Sequence, residues 1–362
     1  MYSFESAVDL PPIWCPIELR VRSDEEMIQQ NSERFFRRHG FSNSELRSTK
    51  AMATGNLACL WVPDGSLDGT QLLSDWLMWA LLFDDSYCDG GEPSRSPARF
   101  GHGASGIMGR ALYPVSTGAV ELKSDRYAAA LQDIFSRIYQ QGGPDQEILC
   151  GLAHFRWCVG AGCGVGDRRD TYLRSLDEHL TARPMDGGDL ISIYLTEVAS
   201  NSWLPARLRV DRRVRAITNA AGVLLTVPTD LASLAHETEQ NSLESNIVEI
   251  LAKEREIGLQ DAVHESCALL EEITQMFLNL RSVLLDLDDA SLSQYVNNLS
   301  CIVRGTLEWQ RHLPRYAYSA DEILGTTEDL SNRVVPLHDV SAERQYNGAS
   351  IPRSIQWWWD CV

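Results

Sequence analysis

From about residue 123 to residue 312 the chain places apolar residues at helical spacing in one segment after another, with almost no alternating run that would read as a strand. The spacing predicts helices over about 123–142, 144–161, 168–182, 188–204, 211–237, 243–256, 259–284 and 288–312. Upstream, 24–38 and 42–53 carry the same pattern, with Ser42 or Asn43 as a cap for the second. A further helix is expected over about 68–83, after the turn Pro63-Asp64-Gly65. Gly187-Gly188 interrupts one helical region. Pro228 lies inside another and should kink it. Residues 90–120, rich in Gly, Pro and Ser, read as a long low-order stretch. The fold expected is one all-α domain over 25–316. An irregular segment, 1–24, precedes it, and another, 317–362, follows it with a lid as its expected role.

Bulk properties exclude more than they identify. A chain of 362 residues buries a large core. Its net charge of −18 argues against general binding to nucleic acid or an anionic membrane, which needs basic patches. No run of about 18 apolar residues occurs, so no membrane span is expected. The N-terminus has neither the basic start nor the apolar core of a signal peptide. Nine cysteines without a CxxC pair suit free thiols in a reducing cytoplasm rather than a disulfide framework.

Chemistry concentrates in residues 76–89, WLMWALLFDDSYCD. Trp76, Trp79, Ala80 and Phe83 share one helix face, and three carboxylates follow: Asp84, Asp85 and Asp89. Carboxylates this close repel unless solvated or bound to cations, and an oxygen-only set suits Mg²⁺, which bridges to phosphates. An acidic helix end on the surface is the plainer reading. The apolar face before it shifts the balance towards a substrate with a hydrocarbon body and a diphosphate head. A second set, Thr229, Ser233 and Glu237, repeats every four residues beyond the strongly apolar Val223–Val227 stretch and could hold a further Mg²⁺. Polar residues at that spacing also occur on any solvated helix face. Arg183, Asp186 and Gly187 form a third cluster, with an arginine suited to phosphate oxygens. Arg315-Tyr316, past Trp309, is a fourth and says little alone.

Taken together, the four clusters resemble those of microbial class I terpene synthases, the terpene cyclases. That family carries an aspartate-rich motif facing an Asn/Asp-x-x-x-Ser/Thr-x-x-x-Glu triad, and the two hold three Mg²⁺ ions on the substrate diphosphate. Asp84-Asp85-x-x-x-Asp89, preceded by Phe83, matches the first motif. Thr229-Asp230-Leu231-x-Ser233-x-x-x-Glu237 matches the second, except that Thr229 stands where the family has Asn or Asp and His236 replaces a frequent Lys or Arg. A hydroxyl is a weaker ligand, which puts the affinity of one metal in doubt. Arg183 stands 46 positions before Thr229, as the family's diphosphate-sensing arginine does, and Asp186 and Gly187 fit its linker and helix break. Arg315-Tyr316 fits the C-terminal Arg-Tyr pair. The anchors span residues 84–316.

The resemblance implies a class I terpenoid synthase bundle around a central active-site cavity, and a Mg²⁺-dependent cyclase of isoprenoid biosynthesis. Its substrate would be a prenyl diphosphate, farnesyl by default, with geranyl, methylgeranyl and geranylgeranyl open. It implies Asp84, Ser233 and Glu237 as direct metal ligands, with Thr229 a further one and Asp89 in the same motif. Asp85 would pair with Arg315 on closure, and Tyr316 would donate to diphosphate. Asp186 would link Arg183 to Gly187, while Phe83, Trp79 and Trp309 would wall the carbocation. Many relatives are homodimers, which leaves a homodimer open here. Two other readings share the fold: a chain-elongating prenyltransferase, which normally carries a second Asp-rich motif, and a non-catalytic prenyl-diphosphate-binding relative.

Overall fold

The computed structural model describes residues 8–89, 91–112, 125–240, 243–311, 313 and 339–362. Its centre is α4, Leu67–Phe83, apolar on nearly every side after its first turn, with Leu72, Trp76, Met78, Trp79, Leu82 and Phe83 all buried. A helix greasy all round has to be enclosed by others. Ser66 starts it, its hydroxyl accepting from the Gly69 N–H at 3.0 Å. Before it come α1 (Glu25–Arg38), α2 (Asn43–Met52) and α3 (Thr54–Trp61). After it come α5 (Pro97–Leu112), α6 (Arg126–Asp170), α7 (Leu176–Asp186) and α8 (Asp189–Ser200). Then follow α9 (Arg212–Thr226), α10 (Pro228–Gln240), α11 (Ile247–Glu254), α12 (Leu259–Leu285) and α13 (Ala290–Gln310). Helices α1, α3, α6 and α8 surround α4, and α9 packs against α7, α8, α12 and α13.

The all-α expectation holds. Among the described residues the only strands are β1 (Ile13–Trp14) and β2 (Val340–Ser341), paired in parallel with Ile13 opposite Val340. Boundaries differ from the sequence reading in three places. Part of the stretch read as low-order is α5, whose Phe100, Ala104, Ile107, Met108 and Ala111 form a buried helical stripe that the intervening glycines disguise. Residues 113–124 lie outside the described set. Nor does a helix begin at 168. Helix α6 runs on to Asp170, past a kink at Gly143 (φ 77°), and α7 starts only after Ser175. There Ser175 and Glu178 exchange hydrogen bonds, with the Ser175 N–H donating to the glutamate at 2.8 Å. The region read as one helix over 211–237 breaks at Val227, and Pro228 takes the first position of α10, where its missing N–H costs nothing.

Two helical stretches, Arg126–Asp170 and Arg212–Ala235 (the second running across the α9–α10 break), are long and apolar enough to cross a membrane by length and composition alone. The apolar window of the second is 89% buried and that of the first 50%, so core formation accounts for their composition. The described part of the tail is fastened down. Glu271 on α12 accepts from the Gln345 and Tyr346 N–H groups (3.0 and 2.8 Å), and Asp177 on α7 accepts from Ser354 at 2.8 Å. Residues 317–338, the rest of the expected lid, lie outside the described set, as do Arg315 and Tyr316. All nine cysteines are free.

Candidate active site

At the end of α4 the chain does not leave the helix but widens into a π-turn, Asp84–Cys88, closed by the Asp89 N–H on the Asp84 carbonyl at 2.9 Å. In an α-helix five residues advance about 1.4 turns, which would swing Asp89 well away from Asp84. The wider turn stacks them instead. One carboxylate oxygen each of Asp84, Asp85 and Asp89 lies within 4.8 Å of the others. Two oxygens on one Mg²⁺ stand at most about 4.2 Å apart, from bond lengths of roughly 2.1 Å. Three oxygens on one octahedral ion include at least two pairs only about 3.0 Å apart, so the side chains would have to draw together for all three to reach one ion, and their oxygen-only chemistry suits a hard divalent cation. Asp89 also faces Arg168 of α6 at 3.5 Å, and that guanidinium donates to the Cys88 carbonyl.

Below the carboxylates lies an aromatic wall. Trp79 stacks on Phe83 (centroids 4.9 Å apart) and Phe83 on Tyr87 (4.6 Å), with Trp157 of α6 edge-on to Phe83 at 5.7 Å. His154 sits among Trp76, Trp79 and Trp157, and burial pushes its pKa down to about 3, so it adds no positive charge to this wall. Trp309 is buried on α13 with its indole donating to the Met52 carbonyl at 2.8 Å.

The break between α7 and α8 carries the third cluster. Gly188 sits at φ 68°, the left-handed region in which glycine is at ease. A Cβ on Gly187 would stand 2.3 Å from the Thr226 side chain, and one on Gly160 of α6 would stand 2.4 Å from the Asp186 nitrogen. Both glycines therefore let α7 lie tight against its neighbours. The Trp157 indole donates to the Asp186 carbonyl at 2.8 Å. Arg183 points its Nε at Asp230 (2.7 Å) and keeps Nη1 3.7 Å from Asp186. The strongest carboxylate partner of Arg183 is thus Asp230, with the expected Asp186 second. Asp230 is 2% exposed. It also takes His179 Nε2 (2.8 Å) and the Ile247 N–H (3.1 Å). Burial alone would raise its pKa, but the Arg183 and His179 charges and hydrogen bonds reverse that and hold it down. Burial raises Asp186 against the pull of Arg183, Arg174 and Arg168, and Asp89 adds to the rise, so the π-turn and the end of α7 share one field.

On α10, Ser233 Oγ stands 2.6 Å from Glu237 Oε1 and 2.8 Å from the Thr229 carbonyl, one hydroxyl proton for two acceptors. Glu237 Oε2 accepts from Asn246 at 2.9 Å. Thr229 turns its hydroxyl proton back onto the Thr226 carbonyl, leaving its lone pairs available as acceptors. The fold thus brings Ser233 and Glu237 together and links Arg183 to the residue beside Thr229. Burial, reinforced by the Asp230 charge, pushes Glu237 up to about 7. In the cation-free protein a carboxyl raised this way holds a proton that the unfolded chain releases above about 4.5, so its contribution to stability falls as pH rises towards 7. Cation binding needs the ionised form and expels that proton. For a divalent cation held by Glu237, the reading proposed below, the half-saturating Mg²⁺ concentration should rise by about tenfold between pH 7.5 and 6, and Mg²⁺ titrations across that range should lose the slope in Glu237→Gln.

Four contributors went unseen in the sequence: Trp157, Arg168, His179 and Asn246. An aspartate inside an apolar helix must find a buried cation, so Asp230 was a signal that Arg183 had a partner on α10. Asn246 carried the capping signature of an Asn before Ile-Val-Glu-Ile, but nothing local tied it to Glu237.

A family model described as terpene synthase family 2, C-terminal metal binding, matches residues 75–275. Spiroviolene synthase of Streptomyces violens is 26% identical over 359 residues, covering 98% of this chain and 97% of that protein. A (+)-T-muurolol synthase of Streptomyces clavuligerus, described as (2E,6E)-farnesyl diphosphate cyclizing, is 28% identical and covers 86% of this chain and 72% of its own length. Among solved structures, the SVS_A2 protein from ancestral sequence reconstruction superposes with a TM-score of 0.79 at 28% identity, over 97% of this chain and 99% of its own.

Proposed function

Given that this chain belongs to the terpene synthase family, an enzyme with that family's all-α fold and metal-binding region, we propose that it is a Mg²⁺-dependent cyclase of a prenyl diphosphate. Farnesyl diphosphate is the proposed substrate, and a cyclic hydrocarbon or alcohol the product. The observation that carries this reading is the placement of three carboxylate oxygens within 4.8 Å at the lip of the Trp79–Phe83–Tyr87 stack. A dry aromatic surface suits a hydrocarbon chain and a carbocation. The acidic lip suits a cation-bound diphosphate. The farnesyl-cyclizing activity of the muurolol synthase relative favours a fifteen-carbon chain.

In this reading Asp84, Asp85 and Asp89 hold metal on one side and Thr229, Ser233 and Glu237 on the other, with three ions in all. Bound there, Mg²⁺ would neutralise charge on the diphosphate as its bond to carbon breaks. Arg183 adds a fixed positive charge, and Asp230 fixes its direction so that no reorganisation is needed as charge develops on the leaving group. Asp186 and Gly187 place that arginine at the mouth of the α7–α8 break, and Arg315 and Tyr316 complete the diphosphate contacts. Phe83 and Trp79 keep this side of the site apolar and shield the cation from water, with Trp309 a further proposed wall residue. The lone aspartate in 229–237 favours cyclisation over chain elongation.

The test is the purified chain with Mg²⁺ and geranyl, methylgeranyl, farnesyl or geranylgeranyl diphosphate in turn, with and without EDTA, and extracts read by gas chromatography–mass spectrometry. A cyclic product from farnesyl diphosphate, absent with EDTA, is the expected result. Product from another substrate alone would overturn the chain length. Condensation only when isopentenyl diphosphate is added would make it an elongating enzyme, and binding without turnover of any substrate would make it a non-catalytic relative.

A further inference from the structure

We propose that Asn246 is a positioning residue for the metal ligand Glu237, and that it ties the arginine and triad halves of the site into one hydrogen-bonded unit. The proposal rests on Glu237 being a ligand, as argued above. Asn246 is fully buried at the start of α11, and its amide does three jobs. Oδ1 accepts from the Val248 N–H at 2.9 Å and so caps α11. Nδ2 donates to the Asp230 carbonyl at 2.7 Å and to Glu237 Oε2 at 2.9 Å.

Each of those bonds ends on a residue that matters elsewhere. The Asp230 side chain holds Arg183 and, through Oδ2, His179 and the Ile247 N–H. Glu237 Oε1 meets Ser233. An unbroken path therefore runs from Arg183 on α7 through Asp230 on α10 and the head of α11 back to Glu237, about two turns further along α10. Glutamate has three rotatable bonds, and its own helix restrains it through the Ser233 hydroxyl at Oε1. The rigid amide of a capping residue, itself pinned by the backbone of α11, adds a second fixed point at Oε2. It also leaves the Ser233-side oxygen, Oε1, as the edge turned towards the proposed metal. Hydrogen-bond partners behind metal ligands typically account for about 10–100-fold in metal affinity.

Capping and positioning are separable by substitution. Asn246→Ser keeps a good N-cap but cannot reach Glu237 with the same donor, whereas Asn246→Ala loses both functions. Mn²⁺ binding in the presence of inorganic diphosphate, read by electron paramagnetic resonance on the full chain, would be compared in wild type, Asn246→Ser, Asn246→Ala and Glu237→Gln. Thermal unfolding and Mg²⁺-dependent turnover would be followed alongside. Positioning predicts that both Asn246 variants bind Mn²⁺ about 10–100-fold more weakly. Asn246→Ser should lose less Tm than Asn246→Ala, and its kcat at saturating Mg²⁺ should change much less than its Mg²⁺ requirement. Wild-type Mn²⁺ affinity in Asn246→Ser, with a loss in Glu237→Gln, would leave Asn246 a cap only and overturn the proposal. Wild-type affinity in Glu237→Gln itself would instead remove Glu237 from the ligand set, and this proposal with it.

Discussion

Arg183→Gln should turn over its substrate about 10²–10³-fold more slowly than wild type, the usual loss when one preorganised electrostatic group is removed from a site that stabilises a leaving anion. It should also be less stable, by about 3–5 kcal/mol, because Asp230 is 2% exposed and would keep only His179 and a backbone N–H. The two effects have different origins, and a second substitution separates them. Adding Asp230→Asn to Arg183→Gln removes the orphaned charge, so the midpoint of urea unfolding should recover while turnover stays low. If the double variant recovered turnover as well, Arg183 would be acting through stability alone. Arg183→Lys should fall between, since an ammonium keeps the charge but cannot reproduce the guanidinium fork that reaches Asp230 and Asp186 together.

A still larger effect is expected at Asp84, where alanine should lower kcat/KM by about 10³-fold or more, in line with several kcal/mol of charge stabilisation supplied by a bound metal. Asp89→Ala should cost much less, about tenfold. The asymmetry comes from the π-turn. Asp84 is partly buried directly after Phe83, whereas Asp89 is 55% exposed and already shares its charge with Arg168. Steady-state kinetics on both variants at several Mg²⁺ concentrations would check the order. Equal losses at the two positions would mean that the turn does not rank its carboxylates in this way.

Much of this was legible in the chain before any coordinates. Periodicity predicted the bundle because a helix has to bury a stripe at fixed spacing, as the apolar residues of 259–284 and 288–312 do. Asp84, Asp85 and Asp89, the Ser233–Glu237 pair and the Gly187 break were all readable as local patterns. What escaped notice was of two kinds. Helix α5 was hidden because glycine weakens the apolar signal without abolishing the stripe formed by Phe100, Ala104 and Ile107. The partnerships of Asp230 with Arg183 and of Asn246 with Glu237 were hidden because they depend on which helices meet, and no local spacing encodes that. The widened turn at Asp84–Cys88 was equally silent, since a single residue's excess in a helix leaves no compositional trace.

The pairing of β1 with β2 bears on how the molecule comes into being. The Trp14 indole donates to the carbonyl of Ala342 at 2.9 Å, 328 positions along the chain, and the Ile13 N–H to that of Asp339 at 2.7 Å. Translation delivers the first of these residues long before the second. Throughout synthesis the early segment waits without its partner, while the helices between them collapse and pack. The pairing thus closes a loop around helices α1 to α13, a contact of extreme sequence separation that carries a high entropic cost and forms late. For a nascent chain this bridge acts as a late clasp, because helices α1 to α13 are all synthesised before β2 and can pack while that loop is still open.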